Sequence, residues 1–101
     1  MAAFTPVFSV PPTNALTDIY TAGNTTQVTR VFAYDASGAS TVKWAIKRGA
    51  DTFLQNEYTF SGDTSIELLP SAQTIQSTDI ISVQSSNAPN TTFTLNLIEN
   101  L

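Results

Sequence analysis

Thr41-Val42-Lys43-Trp44-Ala45-Ile46-Lys47-Arg48 sorts its residues by parity: Val42, Trp44 and Ile46 on one side, Lys43, Ala45 and Lys47 on the other. Alternation of this kind belongs to a strand with one buried and one wet face. Trp44 is the expected centre of the core. Gly49-Ala50-Asp51 then turns the chain.

The neighbouring segments repeat the pattern. Toward the C-terminus, Thr52–Phe60 reads as a strand with Leu54, Tyr58 and Phe60 on one face. After the turn Ser61-Gly62-Asp63, Thr64–Leu69 turns Ile66 and Leu68 inward and Glu67 outward. Residues 70–78 form a connection with room for one short helical turn. Asp79–Gln84 places Ile81 and Val83 on one side, and Ser85–Asn90 is a loop containing Pro89. In Thr91–Ile98, Phe93, Leu95 and Leu97 alternate with Thr92, Thr94 and Asn96. Toward the N-terminus, Thr17–Ala22 ends at Gly23-Asn24, a pair suited to a turn. Gln27–Asp35 is read with Val28, Phe32 and Tyr34 on one face and Val31 and Ala33 on the other.

No stretch combines helical spacing with good helix formers and caps. The chain is therefore read as all-β: a single antiparallel β-sandwich of about seven strands, spanning residues 13–101. Periodicity leaves an immunoglobulin-like and a jelly-roll path equally open. Residues 1–12 are read as an extended N-terminal arm, because Pro6, Pro11 and Pro12 limit regular pairing. Two phenylalanines in a polar tail would cost roughly 1.5–3 kcal/mol each if left in water. Phe4, Val7, Phe8 and Val10 are accordingly the candidate partner-binding residues, docking on this domain or on a neighbour. An edge strand on the parent domain is the plainer alternative.

The composition narrows the function. There is no histidine and no cysteine, charged residues are 12% of the chain, and Thr, Ser, Asn and Gln make up 38 of the 101 residues. The usual proton donors, activated nucleophiles and soft metal ligands are scarce. The carboxylates Asp18, Asp35, Asp51, Glu57, Asp63, Glu67, Asp79 and Glu99 lie singly. They show neither a glycosidase pair nor a calcium loop, although a calcium site across loops stays open. No catalytic residue, cofactor or metal is expected. A net charge of −4 and four basic residues argue against nucleic acid. Three of the four, Lys43, Lys47 and Arg48, fall on the wet side of one strand or at its end. No run approaches the roughly 18 apolar residues of a membrane span. The start of the chain lacks the basic and apolar regions of a secretory signal, which points to synthesis in the cytoplasm. Low charge suits a chain held within an assembly, since interface cores are poor in charge. Tyr20, Tyr34, Trp44 and Tyr58 could stack on sugar, but Trp44 reads as core.

Several segments together resemble small structural proteins of tailed bacteriophages, including phages of marine and freshwater bacteria such as cyanobacteria. They are Thr17-Asp18-Ile19-Tyr20-Thr21-Ala22, Trp44-Ala45-Ile46-Lys47-Arg48-Gly49-Ala50, Gln55-Asn56-Glu57-Tyr58 and Ser77-Thr78-Asp79-Ile80-Ile81-Ser82-Val83, followed by an alternating apolar last strand. The likeness runs over about residues 13–98, and the aromatic, proline-rich Phe4–Pro12 departs from it. The resemblance implies a virion component made in the host bacterial cytoplasm. Two placements compete within it, and the small, neutral, cysteine-free module with its apolar arm favours a capsid decoration or cement protein at capsomer junctions, bound to the major capsid protein and assembled as a homo-oligomer, preferably a trimer. The alternative is a tail, baseplate or fibre component, with host-glycan binding as a further expectation. On the arm reading, deleting residues 1–12 leaves a folded sandwich that no longer binds particles.

Overall fold

The computed structural model describes residues 3–100. The described chain forms nine strands: β1 (Ala3–Ser9), β2 (Thr17–Thr21), β3 (Thr26–Asp35), β4 (Thr41–Arg48), β5 (Asp51–Thr59), β6 (Ser65–Glu67), β7 (Gln73–Ile75), β8 (Ile80–Ser85) and β9 (Thr91–Glu99). A single 3₁₀ turn, Ala88–Asn90, enters β9. The strands make two antiparallel sheets. The first has the order β1-β9-β3-β6, with β7 also on β3; the second has the order β2-β8-β4-β5.

β6 and β7 lie on the same side of β3 and act as one interrupted strand. The interruption has a local cause. Leu68 and Leu69 both turn into the core, and Pro70 follows, with no N–H to continue a ladder. Counted this way there are eight strands, and the chain crosses between sheets at every connection except the β4–β5 hairpin. This is the path of a jelly roll, so the order of the strands settles a choice that periodicity left open.

The core is built by the expected parity in β4, β8 and β9: Val42, Trp44, Ile46, Ile81, Val83, Phe93, Leu95 and Leu97 are all buried. Trp44 is central. Its Nε1 donates to the Leu68 carbonyl at 3.1 Å, and Asn56 Nδ2 donates to the same oxygen at 2.9 Å. A buried indole N–H is thereby satisfied.

Four expectations change. Residues 3–9 do not form an arm separate from the sandwich. They pair with β9 from Ala3↔Glu99 to Ser9↔Phe93 as the edge strand β1, a position in which Pro6 is tolerated. Met1 and Ala2 of the expected arm, and Leu101 of the expected sandwich domain, lie outside the described residues. The strand count is nine rather than seven, because β1 joins the sheet and β7 replaces the helical turn expected within 70–78. Third, an extra residue at Thr29 shifts the pairing of β3 with β9 between Val28 and Arg30. Val28, Val31 and Ala33 all point inward, while Phe32 and Tyr34 point outward. Last, an extra residue at Gln55 shifts the pairing of β4 with β5 between Trp44 and Ala45. Tyr58 and Phe60 therefore pack on the core, and Leu54 is turned away from it. Both are β-bulges, and each reverses the parity of the strand beyond it.

Candidate functional site

β1 divides its apolar residues between two destinations. Val7 packs against the core beside Leu95, its pairing partner on β9. Phe4 and Phe8 have the opposite parity and stand on the outer surface, 83% and 71% exposed; Val10, just past the strand, is exposed as well. Of the four candidate contact residues, three are thus available to a partner and one supports the fold.

The exposed pair belongs to a wider surface. Antiparallel pairing sets Phe4 beside Ile98 and Gln27 in one row. It sets Phe8, Thr94, Phe32 and Glu67 in another. Tyr34, opposite Thr92, is also exposed on this face. Outward parity therefore gathers Phe4, Phe8, Phe32, Tyr34 and Ile98 on one sheet. The Arg30 guanidinium lies 4.7 Å from the centre of the Phe32 ring and pairs with Glu67 at 3.0 Å. Glu67 also accepts the Val31 N–H at 2.8 Å. A groove of about 280 Å³ runs between Phe4, Pro6, Thr29 and Asn96. The Thr29 bulge opens onto it, and the Thr29 hydroxyl donates to the Asn96 carbonyl at 3.0 Å. Phe32 and Ile98 were not singled out from the sequence, and Tyr34 was considered only for stacking on sugar. The signal for Phe32 and Tyr34 was Thr29-Arg30, two consecutive polar residues between Val28 and Val31, which breaks the alternation; Ile98 follows from the regular alternation of β9 after Leu97.

The outer face of the second sheet carries ion pairs beside the exposed Leu54. Lys43 pairs with Glu57 at 3.3 Å, and Lys47 pairs with Asp18 at 2.7 Å. The Ser82 hydroxyl donates to Asp18 at 2.6 Å. The Lys47 contact, helped by Ser82, lowers the pKa of Asp18. With Arg30–Glu67 and Arg48–Asp79, every lysine and arginine side chain of the chain is in an ion pair.

The remaining carboxylates sit toward the ends of the sandwich. At one end, Asp35 is buried without a cation. It accepts from the Ser37 N–H at 2.9 Å, from Asn87 Nδ2 at 3.2 Å and from Thr91 Oγ1 at 3.2 Å. Burial pushes its pKa up, but the nearby Ser40 hydroxyl, the Ser37 hydroxyl and N–H, and Asn87 outweigh it and hold the carboxyl at about 2. Ser40 acts there without a formed hydrogen bond of its own. Asp63 lies at the same end and accepts from the Tyr58 hydroxyl. At the other end, Glu99 accepts from the hydroxyls of Thr5 and Tyr20, and these contacts lower its pKa. Asp51 is there too, opposite Arg48. Arg48 itself holds the buried Asp79 with two hydrogen bonds, 2.9 and 2.7 Å long. Asp79 also accepts the Gln76 N–H at 2.9 Å. The Arg48 contact leads in lowering the pKa of Asp79.

The four aromatic residues considered for sugar stacking do not form a platform. Trp44 is 1% exposed, Tyr20 and Tyr58 spend their hydroxyls on Glu99 and Asp63, and only Tyr34 of the four is exposed. Among the described residues, no three metal-ligating side chains come together.

No protein-family model matches the chain, and no curated protein matches it. Among solved structures, the fold is similar to a chain of the acidic stable capsid structure of Helicobacter pylori bacteriophage KHP30. The TM-score is 0.63 at 11% sequence identity, over 96% of this chain and 85% of that one. The likeness is therefore one of fold, carried across nearly the whole chain, and the two chains are of similar length.

Proposed function

We propose that this protein is a non-catalytic structural component of a phage virion, a decoration or cement protein that binds the major capsid protein at capsomer junctions. The observation that carries this reading is the aromatic outer face around β1, set on a jelly roll like one found in a phage capsid structure. Exposed aromatic residues gathered on one face, here interleaved with Thr94 and Asn96, suit an interaction site. With all basic side chains engaged in ion pairs, the surface offers little to phosphate and much to a neutral protein partner.

Binding would bury Phe4 and Phe8 against the shell, flanked by Ile98, Phe32 and Tyr34. Full burial of two phenylalanines stabilises a contact by about 3–6 kcal/mol before ordering costs. That is modest for one copy. Copies joined on a repeated lattice hold by avidity, and a bound copy in turn stabilises the state it binds. Tail, baseplate or fibre placement is the second reading. Its sugar-binding form is weakened by the internal use of Trp44, Tyr20 and Tyr58.

The test is copy number per purified particle, by quantitative mass spectrometry against the major capsid protein. A ratio near one, or a simple fraction of it, supports a cement protein. A few to tens of copies places the chain in the tail, and absence from particles removes the virion reading.

A further inference from the structure

The outward side chains of β1, β9 and β3 fall in rows across the sheet. Between the row of Phe4 and Ile98 and the row of Phe8 and Phe32 lies one made of Pro6, Asn96 and Arg30. A partner seated on both phenylalanines therefore covers this row as well. Arginine among aromatic side chains is a composition that interface hot spots favour.

Arg30 is already held in place. The Phe32 ring backs its guanidinium at 4.7 Å, and its Nε meets Glu67 Oε1 at 3.0 Å. Glu67 is fixed in turn, because its other oxygen accepts the Val31 N–H at 2.8 Å. A side chain ordered beforehand loses less entropy when a partner arrives. The terminal nitrogens of Arg30 carry most of its N–H donors. Among the described residues they make no hydrogen bond, and the ion pair reaches Glu67 through Nε. Arg48 differs, with Nε and a terminal nitrogen both spent on Asp79. Asn96 resembles Arg30: its carbonyl receives the Thr29 hydroxyl, but its side-chain amide makes no hydrogen bond among the described residues.

Covering these groups without acceptors would cost binding energy, so the acceptors must come from the partner. Their charge follows from Glu67. It already balances Arg30, and a second carboxylate would leave excess negative charge in a site emptied of water. A neutral acceptor would not. The Asn96 carboxamide, donor and acceptor together, is the complement of a peptide group.

We propose that Arg30 and Asn96 read the main chain of the partner. The terminal nitrogens of Arg30 take carbonyl oxygens of an uncharged segment, and Asn96 pairs with a peptide group of the same segment. The groove of about 280 Å³ between Phe4, Pro6, Thr29 and Asn96 receives one of its side chains. This rests on the aromatic face being the surface that binds the capsid, and it names what that surface recognises.

The test is binding of the full chain to undecorated particles at low and high salt. The variants are Arg30→Met, Arg30→Met with Glu67→Gln, and Asn96→Ala. Glu67→Gln removes the charge and leaves an acceptor for the Val31 N–H. Melting temperatures check that each variant stays folded, as outward positions lead one to expect. Arg30→Met should weaken binding about tenfold or more, without recovery in the double variant, and Asn96→Ala about threefold or more. The salt dependence should be shallow and the same for wild type and Arg30→Met. Wild-type chain that does not bind ends the capsid reading and this inference with it. With wild type bound, three results overturn the inference alone. They are unchanged affinity in Arg30→Met or Asn96→Ala, recovery in the double variant, and a steep salt dependence that Arg30→Met abolishes. The last would mean a carboxylate on the partner.

Discussion

The two outer faces of the sandwich obey the same alternation and carry opposite chemistry. Beyond β1, β9 and β3 the outward parity holds Phe4, Phe8, Ile98, Phe32 and Tyr34, with Arg30–Glu67 at the side. Beyond β4, β5 and β8 it holds Lys43–Glu57 and Lys47–Asp18, with Leu54 its one large exposed apolar side chain among the described residues. The inner faces are alike, since both need only to fill one core. The outer faces are under no such requirement, so their difference points to use rather than to folding. One face is suited to lie against protein and the other to lie against water.

The comparison can be broken most sharply on the aromatic side. Replacing Phe4 and Phe8 together with serine should weaken binding to undecorated particles by about 100-fold or more, with the melting temperature little changed. Particle binding by the double variant at the wild-type level would end the assignment of this face. These substitutions are a better probe than removal of residues 1–12. Losing β1 would also strip Val7 from the core and bare the edge of β9, so a binding defect would be confounded with unfolding.

The next effect lies on the polar sheet, where one ion pair differs from the rest. Asp79 is buried, so Arg48→Met leaves a carboxylate with only the Gln76 N–H for support. A loss of stability in chemical denaturation is expected, smaller than the roughly 3–5 kcal/mol of a fully buried pair because Arg48 itself is half exposed. An unchanged midpoint would mean that the pair is ornamental.

Acid titration gives a smaller effect at the end of the sandwich. The Asp35 carboxyl is held at about 2, below the value near 4 of an unfolded aspartate. Its contribution is therefore complete above about pH 4 and is lost as the pH falls toward 2. Asp35→Asn should be less stable than wild type at neutral pH by roughly 1–2 kcal/mol, and the gap should narrow as the pH drops through that window. A gap independent of pH would show that the carboxylate charge is not what the donors serve. The smallest change should come from Lys43→Gln, within about 0.5 kcal/mol and weaker still in high salt, as for an exposed ion pair.

Legibility followed locality. β4 was readable because Val42, Trp44 and Ile46 alternate with no bulge on that strand, and β8 and β9 were readable for the same reason. β3 and β5 were misread past Thr29 and Gln55, where one extra residue reverses all later side chains; Thr29-Arg30 and Gln55-Asn56 were the only local marks. β7 was missed because three residues with one buried side chain, Ile75, give no period to detect. The jelly-roll path depends on which strands pair across the chain, which no local window contains. At the candidate site, Phe4 and Phe8 could be named from composition alone. Separating them from Val7 required knowing that residues 3–9 pair with β9, and the contribution of Phe32 and Tyr34 required the bulge, whereas Ile98 follows from the alternation of β9.

The placement of charge has a consequence for orientation. Four ion pairs neutralise all basic side chains, and the four acids left over divide between the ends: Asp35 and Asp63 at one, Asp51 and Glu99 at the other. The molecule is thus a short rod, 40 Å in its longest dimension, with negative tips and nearly neutral flanks. Near another acidic surface such a body feels a torque before it feels contact, because each tip is repelled more than the flank. It should arrive lying down, with a sheet face rather than an end toward its neighbour. Added salt should relax this steering.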